Sequence, residues 1–412
     1  MKFSLYKNLI ATFIGVFLFL LLTELGVRFV EHRFSVNPGG EAPTVGPAFN
    51  IPINMRDSHL LWRLQPFAEF KGVRINSKGF RGPEFSEEKQ QNTYRIINMG
   101  DSSTFGVGVP YGDLHSAVLK DMLNRQAQPQ KRYEVINAGV PGYSSLQGLK
   151  YLKKELIKYK PDIITVSFGL NDYLYTNAED DKNIPETSPQ LIYLDDLMRK
   201  SHLYDFFKKR LGLLLSPKTK YPPNRRVKLP DFRENLKEIV TVAREHGARV
   251  LLFNIPLRPE IPLVVNAIPI PRDGEVVEWL RPAFIGRNNY FVKTEFEGPA
   301  PVLEEAVKKH PQWAMAHYLL ARRYEKEGHV EKAQAEFIKA REMDVDRRVI
   351  AEYNMVIEEV AKEMQVSLVD LVNAFEKRKG EDLFLDERHF SAAGYRIIAE
   401  EIYHTLKASN LI

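Results

Sequence analysis

Two short stretches hold residues that together could transfer an acyl group. Ser102 lies in Gly100-Asp101-Ser102-Ser103, directly after the apolar run Tyr94-Arg95-Ile96-Ile97-Asn98-Met99. His389 lies near the C-terminus in Asp386-Glu387-Arg388-His389. A serine hydroxyl is a weak nucleophile and needs a base within hydrogen-bond reach. The base works best with a pKa near the operating pH, which favours histidine. An aspartate three residues earlier can meet the imidazole within one turn and fix its tautomer, so that the other ring nitrogen faces the serine. The oxyanion that develops on attack needs preorganised donors. The Ser102 N–H, the Gly142 N–H and the Asn171 side-chain amide could supply three, and a glycine at 142 keeps a Cβ out of the substrate's way. Taken singly each signal is weak. A serine after a strand is commonly a helix cap or turn residue. Asn171 can cap a turn, Asp172 reads as a cap rather than a catalyst, and Asp101 reads as a buttress of its loop.

The elements that must bring these residues together are readable from periodicity. Buried strands are expected at 94–99, 133–137, 162–168, 249–254 and 366–371, each a short apolar run. Helices are expected at 114–123, 145–159, 232–246, 349–364 and 395–406. Gly247 follows the third helix as a C-cap should. This alternation predicts an α/β fold with a five-stranded parallel sheet and helices on both faces. In such a sheet the C-terminal ends of the first three strands lie close together, and they carry Ser102, Gly142 and Asn171.

At this point the sequence resembles the SGNH or GDSL hydrolase family. The family's four blocks stand in order as Gly100-Asp101-Ser102, Gly142, Gly169-Leu170-Asn171-Asp172 and Asp386-Glu387-Arg388-His389. Four blocks in order, each at an expected strand end or helix start, form a far more specific signal than any one of them. The resemblance implies a flavodoxin-like three-layer α/β/α hydrolase fold over 94–256 and 347–412. It implies Ser102 as nucleophile, His389 as base and Asp386 as its orienter. It implies Ser102, Gly142 and Asn171 as oxyanion donors. Gly139 is the other glycine near the second block, but Gly142 has the family's spacing to Tyr143-Ser144. The Gly-x-Ser-x-Gly elbow of α/β-hydrolases is absent around Ser102.

The remainder of the 412 residues divides around that domain. Leu9 to Leu22 carries no charge, and flanking apolar residues extend it to about the 20 that a spanning helix needs. Lys2 and Lys7 precede it, which predicts a cytoplasmic tip and a single-pass anchor over 1–28, with a cleaved signal peptide as the alternative. Residues 29–50, rich in proline and glycine, read as a linker. Residues 51–93 read as short strands and turns covering the main domain. Lys200 to Leu215 is basic and amphipathic. It either lies on a membrane surface or packs its leucines and phenylalanines inward like an ordinary surface helix. Within 257–346, Leu320, Ala321, Tyr324, Gly328, Ala333, Phe337 and Ala340 match one tetratricopeptide repeat, a helical pair. Leu303, Ala306 and Pro311 fit half a repeat before it. A lone repeat cannot bury its faces unaided and should pack on the main domain or a protein partner. His317 and His329 fall in this repeat and are expected on its surface.

Composition narrows the chemistry. There is no cysteine, so disulfides, thiolate catalysis, cysteine-based zinc sites and a lipoprotein anchor are excluded. The 58 basic and 53 acidic residues leave a net charge of +5, with no dominant basic stripe, so no nucleic-acid partner is expected. There is no His-Glu-x-x-His, and neither a catalytic metal nor a cofactor is expected. The family resemblance implies esterase, lipase or O-acyltransferase activity. The anchor and insert tilt this expectation toward acetyl esters of envelope or exported polysaccharide, with the catalytic domain outside the cytoplasm. A lipid esterase and a non-catalytic assembly subunit are the alternatives.

Overall fold

The computed structural model describes residues 2–33, 52–176, 180–215, 224–258, 299–378, 380–386 and 388–412. The chain forms two compact units. One comprises Met1–Phe49, Arg56–Trp62 and Pro185–Tyr221, the other Asn50–Met55, Arg63–Ile184 and Pro222–Ile412.

The chain opens with helix α1 (Lys2–Arg33). Four short strands follow, β1 (Asn54–Asp57), β2 (Leu61–Leu64), β3 (Glu69–Phe70) and β4 (Val73–Arg74). The next elements are β5 (Thr93–Gly100), α2 (Ser102–Phe105), α3 (His115–Arg125), β6 (Arg132–Gly139), α4 (Ser145–Tyr151), β7 (Ile163–Ser167) and β8 (Tyr175–Thr176). Then come α5 (Pro189–Met198), α6 (His202–Leu215), β9 (Asn224–Arg225), α7 (Leu229–Glu245) and β10 (Arg249–Phe253). The last elements are α8 (Ala300–Lys309), α9 (Ala314–Lys326), α10 (Val330–Glu342), α11 (Val345–Glu363), β11 (Ser367–Val369), α12 (Leu371–Glu376) and α13 (Ala392–Ala408).

The larger unit is built on a parallel sheet of five strands in the order β11-β10-β7-β5-β6. Numbered by appearance, its strands run 2-1-3-4-5, and the order reverses between the first and third. Ile96, Ile97, Ile163, Ile164 and Leu251 are fully buried, because helices cover both faces of the sheet. On one face, Leu119 and Leu123 of α3 and Ile398 and Ile402 of α13 join Ile96 and Val369 in one apolar cluster. Each such side chain contributes roughly 1.5–3 kcal/mol when fully buried. Phe232 of α7 meets Tyr353 of α11 edge-on at 4.9 Å. All five expected strands and their helices are present. The helix expected over 145–159 departs from regularity, since Leu152–Leu156 is a π-helical turn and Ile157–Tyr159 a 3₁₀ turn.

Register brings three strand ends level. Gly100 pairs with Gly139 on one side and with Ser167 on the other. The turn carrying Ser102 sits directly on these ends. A Cβ on Gly139 would lie 2.2 Å from the Phe105 backbone nitrogen, and one on Gly100 would lie 2.7 Å from the Ser167 carbonyl oxygen.

Helices α8 to α10 enclose a core of their own from Leu303, Trp313, Leu319, Leu320 and Tyr324. His317 corrects its expected placement on the surface of this repeat. It is 3% exposed, with Nδ1 2.5 Å from Glu336 Oε2 and Nε2 2.8 Å from the Pro311 carbonyl. Its helical spacing to Leu320, Ala321 and Tyr324 turns it inward, and the buried glutamate partners it. The part of the expected insert at 259–298 lies outside the described residues.

In the smaller unit, α1 contains one stretch, Ala11–Val30, long and apolar enough to cross a membrane, with a mean hydropathy of 2.1. The helix runs on to Arg33, past the boundary expected at Arg28. The remainder of the expected linker lies outside the described residues. Phe206, Phe207 and Leu211 of α6 are exposed, so these side chains do not follow the inward packing weighed for that helix.

The seating of the Ser102 turn predicts that Gly139→Ala destabilises the fold by about 1–3 kcal/mol, the usual cost of overpacking, because backbone has to move. A lowered urea midpoint with an unchanged m-value is the expected reading.

Candidate active site

Strand β5 delivers Ser102 to the top of the sheet. Asp101 caps α2, its Oδ1 accepting the Ser103 N–H at 2.8 Å, and Gly106 closes the turn with φ 93°. The Ser102 hydroxyl lies 3.0 Å from His389 Nε2, and His389 Nδ1 lies 2.6 Å from Asp386 Oδ2. Asp386 Oδ1 also accepts the N–H groups of Arg388 at 2.9 Å and His389 at 2.7 Å. The carboxylate therefore closes the turn that carries the histidine. Tyr395 of α13 is fully buried and donates to the Ser103 carbonyl at 2.7 Å, tying the histidine's helix to the serine's turn.

Burial pushes the Asp386 carboxyl up, but the bonds from His389 and Arg388 outweigh it and hold the group below the usual carboxylate range. An ionised Asp386 can only accept, so the Nδ1 of His389 carries the ring proton. The lone pair on Nε2 then faces the Ser102 hydroxyl, which donates to it.

The three expected oxyanion donors differ. Among the described residues, the N–H groups of Ser102 and Gly142 have no protein acceptor. Gly142 has φ 81°, a left-handed conformation in which a side chain costs about 1–2 kcal/mol. The Asn171 amide points elsewhere, donating to Asp101 Oδ2 at 3.0 Å and to the Tyr143 carbonyl at 3.1 Å. Its two hydrogens are both committed. Gly139 serves the packing of α2, which distinguishes it from Gly142.

The two neighbouring aspartates are both buried. Asp101 is fully buried and joins Ser103 to Asn171; burial raises its pKa. Asp172 Oδ1 accepts the N–H of Ser145, the first residue of α4, at 2.9 Å. Among the described residues its Oδ2 is buried without a partner, and burial raises its pKa to about 7.

Sequence reasoning missed three residues here. Arg226 Nη1 donates to the Gly142 carbonyl at 2.7 Å, and its Nη2 reaches Gln147 Oε1 at 2.8 Å. The same guanidinium grips Asp181 with two bonds, at 2.9 and 3.1 Å. Asp181 in turn accepts the Ser144 hydroxyl at 2.6 Å. The Gly142 loop is thus held from behind by a planar, bidentate pair. Arg81, from the covering segment, is 3% exposed and donates to the carbonyls of Phe105, Gly106 and Val109, clamping the far side of the Ser102 turn. Arg226 and Asp181 stand in a stretch with no periodic signal, and Arg81 lies between two turn glycines, so nothing local marks them.

A family model described as the GDSL-like Lipase/Acylhydrolase family matches residues 99–317. The chain belongs to this family. The match takes in Ser102, Gly142 and Asn171, while Asp386 and His389 lie beyond it and enter through the geometry above. No curated protein matches the sequence. Among solved structures, the chain is similar to a lipase/acylhydrolase from Enterococcus faecalis, with 20% identity, TM-score 0.39, and 77% of this chain and 96% of that one covered. It is also similar to an acetylxylan esterase from Geobacillus stearothermophilus, with 15% identity, TM-score 0.38, and 76% and 94% covered. As a member of the acylhydrolase family, the chain is an ester hydrolase in class.

Two outcomes are expected. Arg226→Met should lower kcat on a small ester by roughly 10-fold, less than the 10²–10³ of losing an oxyanion donor outright, because only the donor's placement is lost. Arg226→Lys should recover little, since an ammonium cannot form the fork. Steady-state kinetics beside a thermal melt checks both. Asp172 should tilt the pH dependence of stability. Below about pH 4 its carboxyl is protonated in both states; from there to about pH 7 only the folded chain keeps the proton. Stability then falls as pH rises, by up to about 1.4 kcal/mol per unit, and levels off above. Urea unfolding of Asp172→Asn should lack that decline.

Proposed function

We propose that the chain is a serine ester hydrolase or O-acyltransferase working through an acyl-Ser102 intermediate. The observation that carries this reading is the continuous chain from the Ser102 hydroxyl through His389 to Asp386, with contacts of 3.0 and 2.6 Å. Ser102 Oγ attacks the ester carbonyl carbon as its proton passes to His389 Nε2. The oxyanion forms against the N–H groups of Ser102 and Gly142, joined by Asn171 when one of its amide hydrogens swings from Asp101 or Tyr143. The intermediate collapses, and the departing alcohol takes the proton from His389. Water, or a sugar hydroxyl, then attacks the acyl-serine with His389 as base, and the bond to Ser102 Oγ breaks as His389 returns the proton to it. Asp386 stays ionised and stabilises the imidazolium.

We assign acetyl esters of envelope or exported polysaccharide as the substrate class. The reading of a catalytic domain anchored outside the cytoplasm and bearing a helical insert supports this over a long-chain lipid ester. The tetratricopeptide-like helices are read as standing beside the site, as a wall for polymer or a dock for a protein partner. The α1 helix is read as an uncleaved single-pass anchor. Lys2 and Lys7 place its tip in the cytoplasm, with the catalytic domain on the periplasmic or extracellular side.

Ser102→Ala should abolish cleavage of p-nitrophenyl acetate and labelling by a fluorophosphonate while leaving the melting temperature unchanged. His389→Ala should be about as severe, since members of one catalytic unit are non-additive, and Asp386→Asn somewhat less so. Acetate should be turned over faster than decanoate. Retained activity in Ser102→Ala, with the label elsewhere, overturns the assignment. A preference for decanoate overturns the substrate class alone.

A further inference from the structure

The smaller unit carries an apolar surface that the catalytic reading leaves unused. Helices α5 and α6 are joined by one carboxylate. Asp195 accepts Tyr204 Oη at 2.7 Å and Arg199 Nε at 3.0 Å, and it also pairs with Arg56 and Lys208. Large apolar side chains of both helices are exposed around it. Leu191 is 59% exposed, Tyr193 72%, Leu194 50%, Leu197 47%, Phe207 60% and Leu211 55%. Single exposed leucines are ordinary, but a cluster of this size on two adjoining helices marks an interaction surface.

The place of α6 beside α1 says what covers that surface. Glu24 of α1 accepts the N–H of His202 at 3.0 Å, the N–H of Leu203 at 2.9 Å and the Ser201 hydroxyl at 2.8 Å. A carboxylate in an otherwise apolar stretch thus caps the first turn of α6, where helix N–H groups lack partners and the dipole favours negative charge. Glu24 is the first charged residue after the uncharged run from Asn8 to Thr23. A charged side chain that ends such a run is placed where hydrocarbon gives way to headgroups, and the start of α6, which it caps, goes with it.

We propose that α5 and α6 form an interfacial platform, with their exposed apolar faces sunk into the headgroup boundary of the bilayer that α1 crosses. The proposal rests on the reading of α1 as a membrane span. Lys200, Lys208 and Arg210 give the platform a cationic character that favours anionic lipid. The Arg210 guanidinium lies 5.4 Å from the centre of the Phe206 ring. Tyr193 and Phe207 are aromatic, as suits residues at an interface.

The absence of cysteine makes the test direct, because one introduced thiol takes one nitroxide label. The full chain carries Tyr193→Cys, Leu197→Cys or Phe207→Cys, with Phe19→Cys reporting on α1 and Glu331→Cys on open solvent. Each is reconstituted into vesicles of equal parts phosphatidylethanolamine and phosphatidylglycerol, and a thermal melt confirms folding. Spin relaxation by oxygen, which concentrates in lipid, is compared with relaxation by a water-soluble nickel chelate. The expected result is an oxygen-to-nickel ratio at positions 193, 197 and 207 several-fold above that at 331, with position 19 higher still. A high ratio at 19 with ratios at 193, 197 and 207 equal to that at 331 overturns the platform and leaves the anchor standing. Shielding of those three labels from both reagents also overturns it, since protein then covers the face. A solvent-like ratio at 19 overturns the anchor reading and this proposal together.

Discussion

The site depends on one close contact, the seating of the Ser102 turn on the ends of β5 and β6. No side chain fits at Gly100 or Gly139, and the Phe105 backbone lies where a Cβ of Gly139 would be. Around that contact the molecule places clamps from distant parts of the chain. Arg81 holds the carbonyls beyond the turn, Asp101 ties it to Asn171, and Tyr395 ties it to α13. Since α13 follows the His389 segment directly, fixing the turn also fixes the distance from hydroxyl to imidazole. A misplacement of about 1 Å in such an arrangement costs on the order of 10² in rate, which gives these distant clamps their weight.

Three buried aspartates show how partners rather than depth decide charge. Asp101 and Asp172 are raised, because burial removes water and too few donors replace it. Asp386 is lowered although it too is buried, because an imidazole and two backbone N–H groups converge on it. The same residue type therefore serves as buttress, cap and orienter. The last is held in the ionised form that an imidazolium needs as a partner. On the opposite side, Arg226 and Asp181 pair with each other and leave one guanidinium nitrogen to grip the Gly142 carbonyl.

The parallel sheet, its strands and the chemistry at their ends were legible in the sequence, for a physical reason. Strands buried on both faces must be continuous apolar runs, and the turns that follow them must use small or capping residues. Ser102, Asn171 and Asp172 stand at such ends, and Asp386 and His389 are close enough in sequence to meet within one turn. Each of these signals is local. The sequence by itself also determined that no thiol takes part, and that α1 is apolar on every side over a length able to cross a bilayer.

Only the tertiary structure decided which groups complete the site and how far each is committed. Arg226 reaches Gly142 across 84 positions and Arg81 reaches Phe105 across 24, separations that no periodicity records. The Asn171 amide carries the right chemistry in sequence, yet its hydrogens are spent on Asp101 and Tyr143, because a buried amide must satisfy its donors with whatever packs nearby. His317, polar and placed in a helical pair, went inward because Glu336 of the next helix was there to receive it. Phe207 and Leu211, apolar and helically spaced, stayed exposed even though Tyr204 and Lys208 on the same face of the helix turn to Asp195. Spacing along a chain tells which side chains share a face. What that face meets is settled by elements far away in sequence, whose desolvation and pairing are properties of the assembled fold.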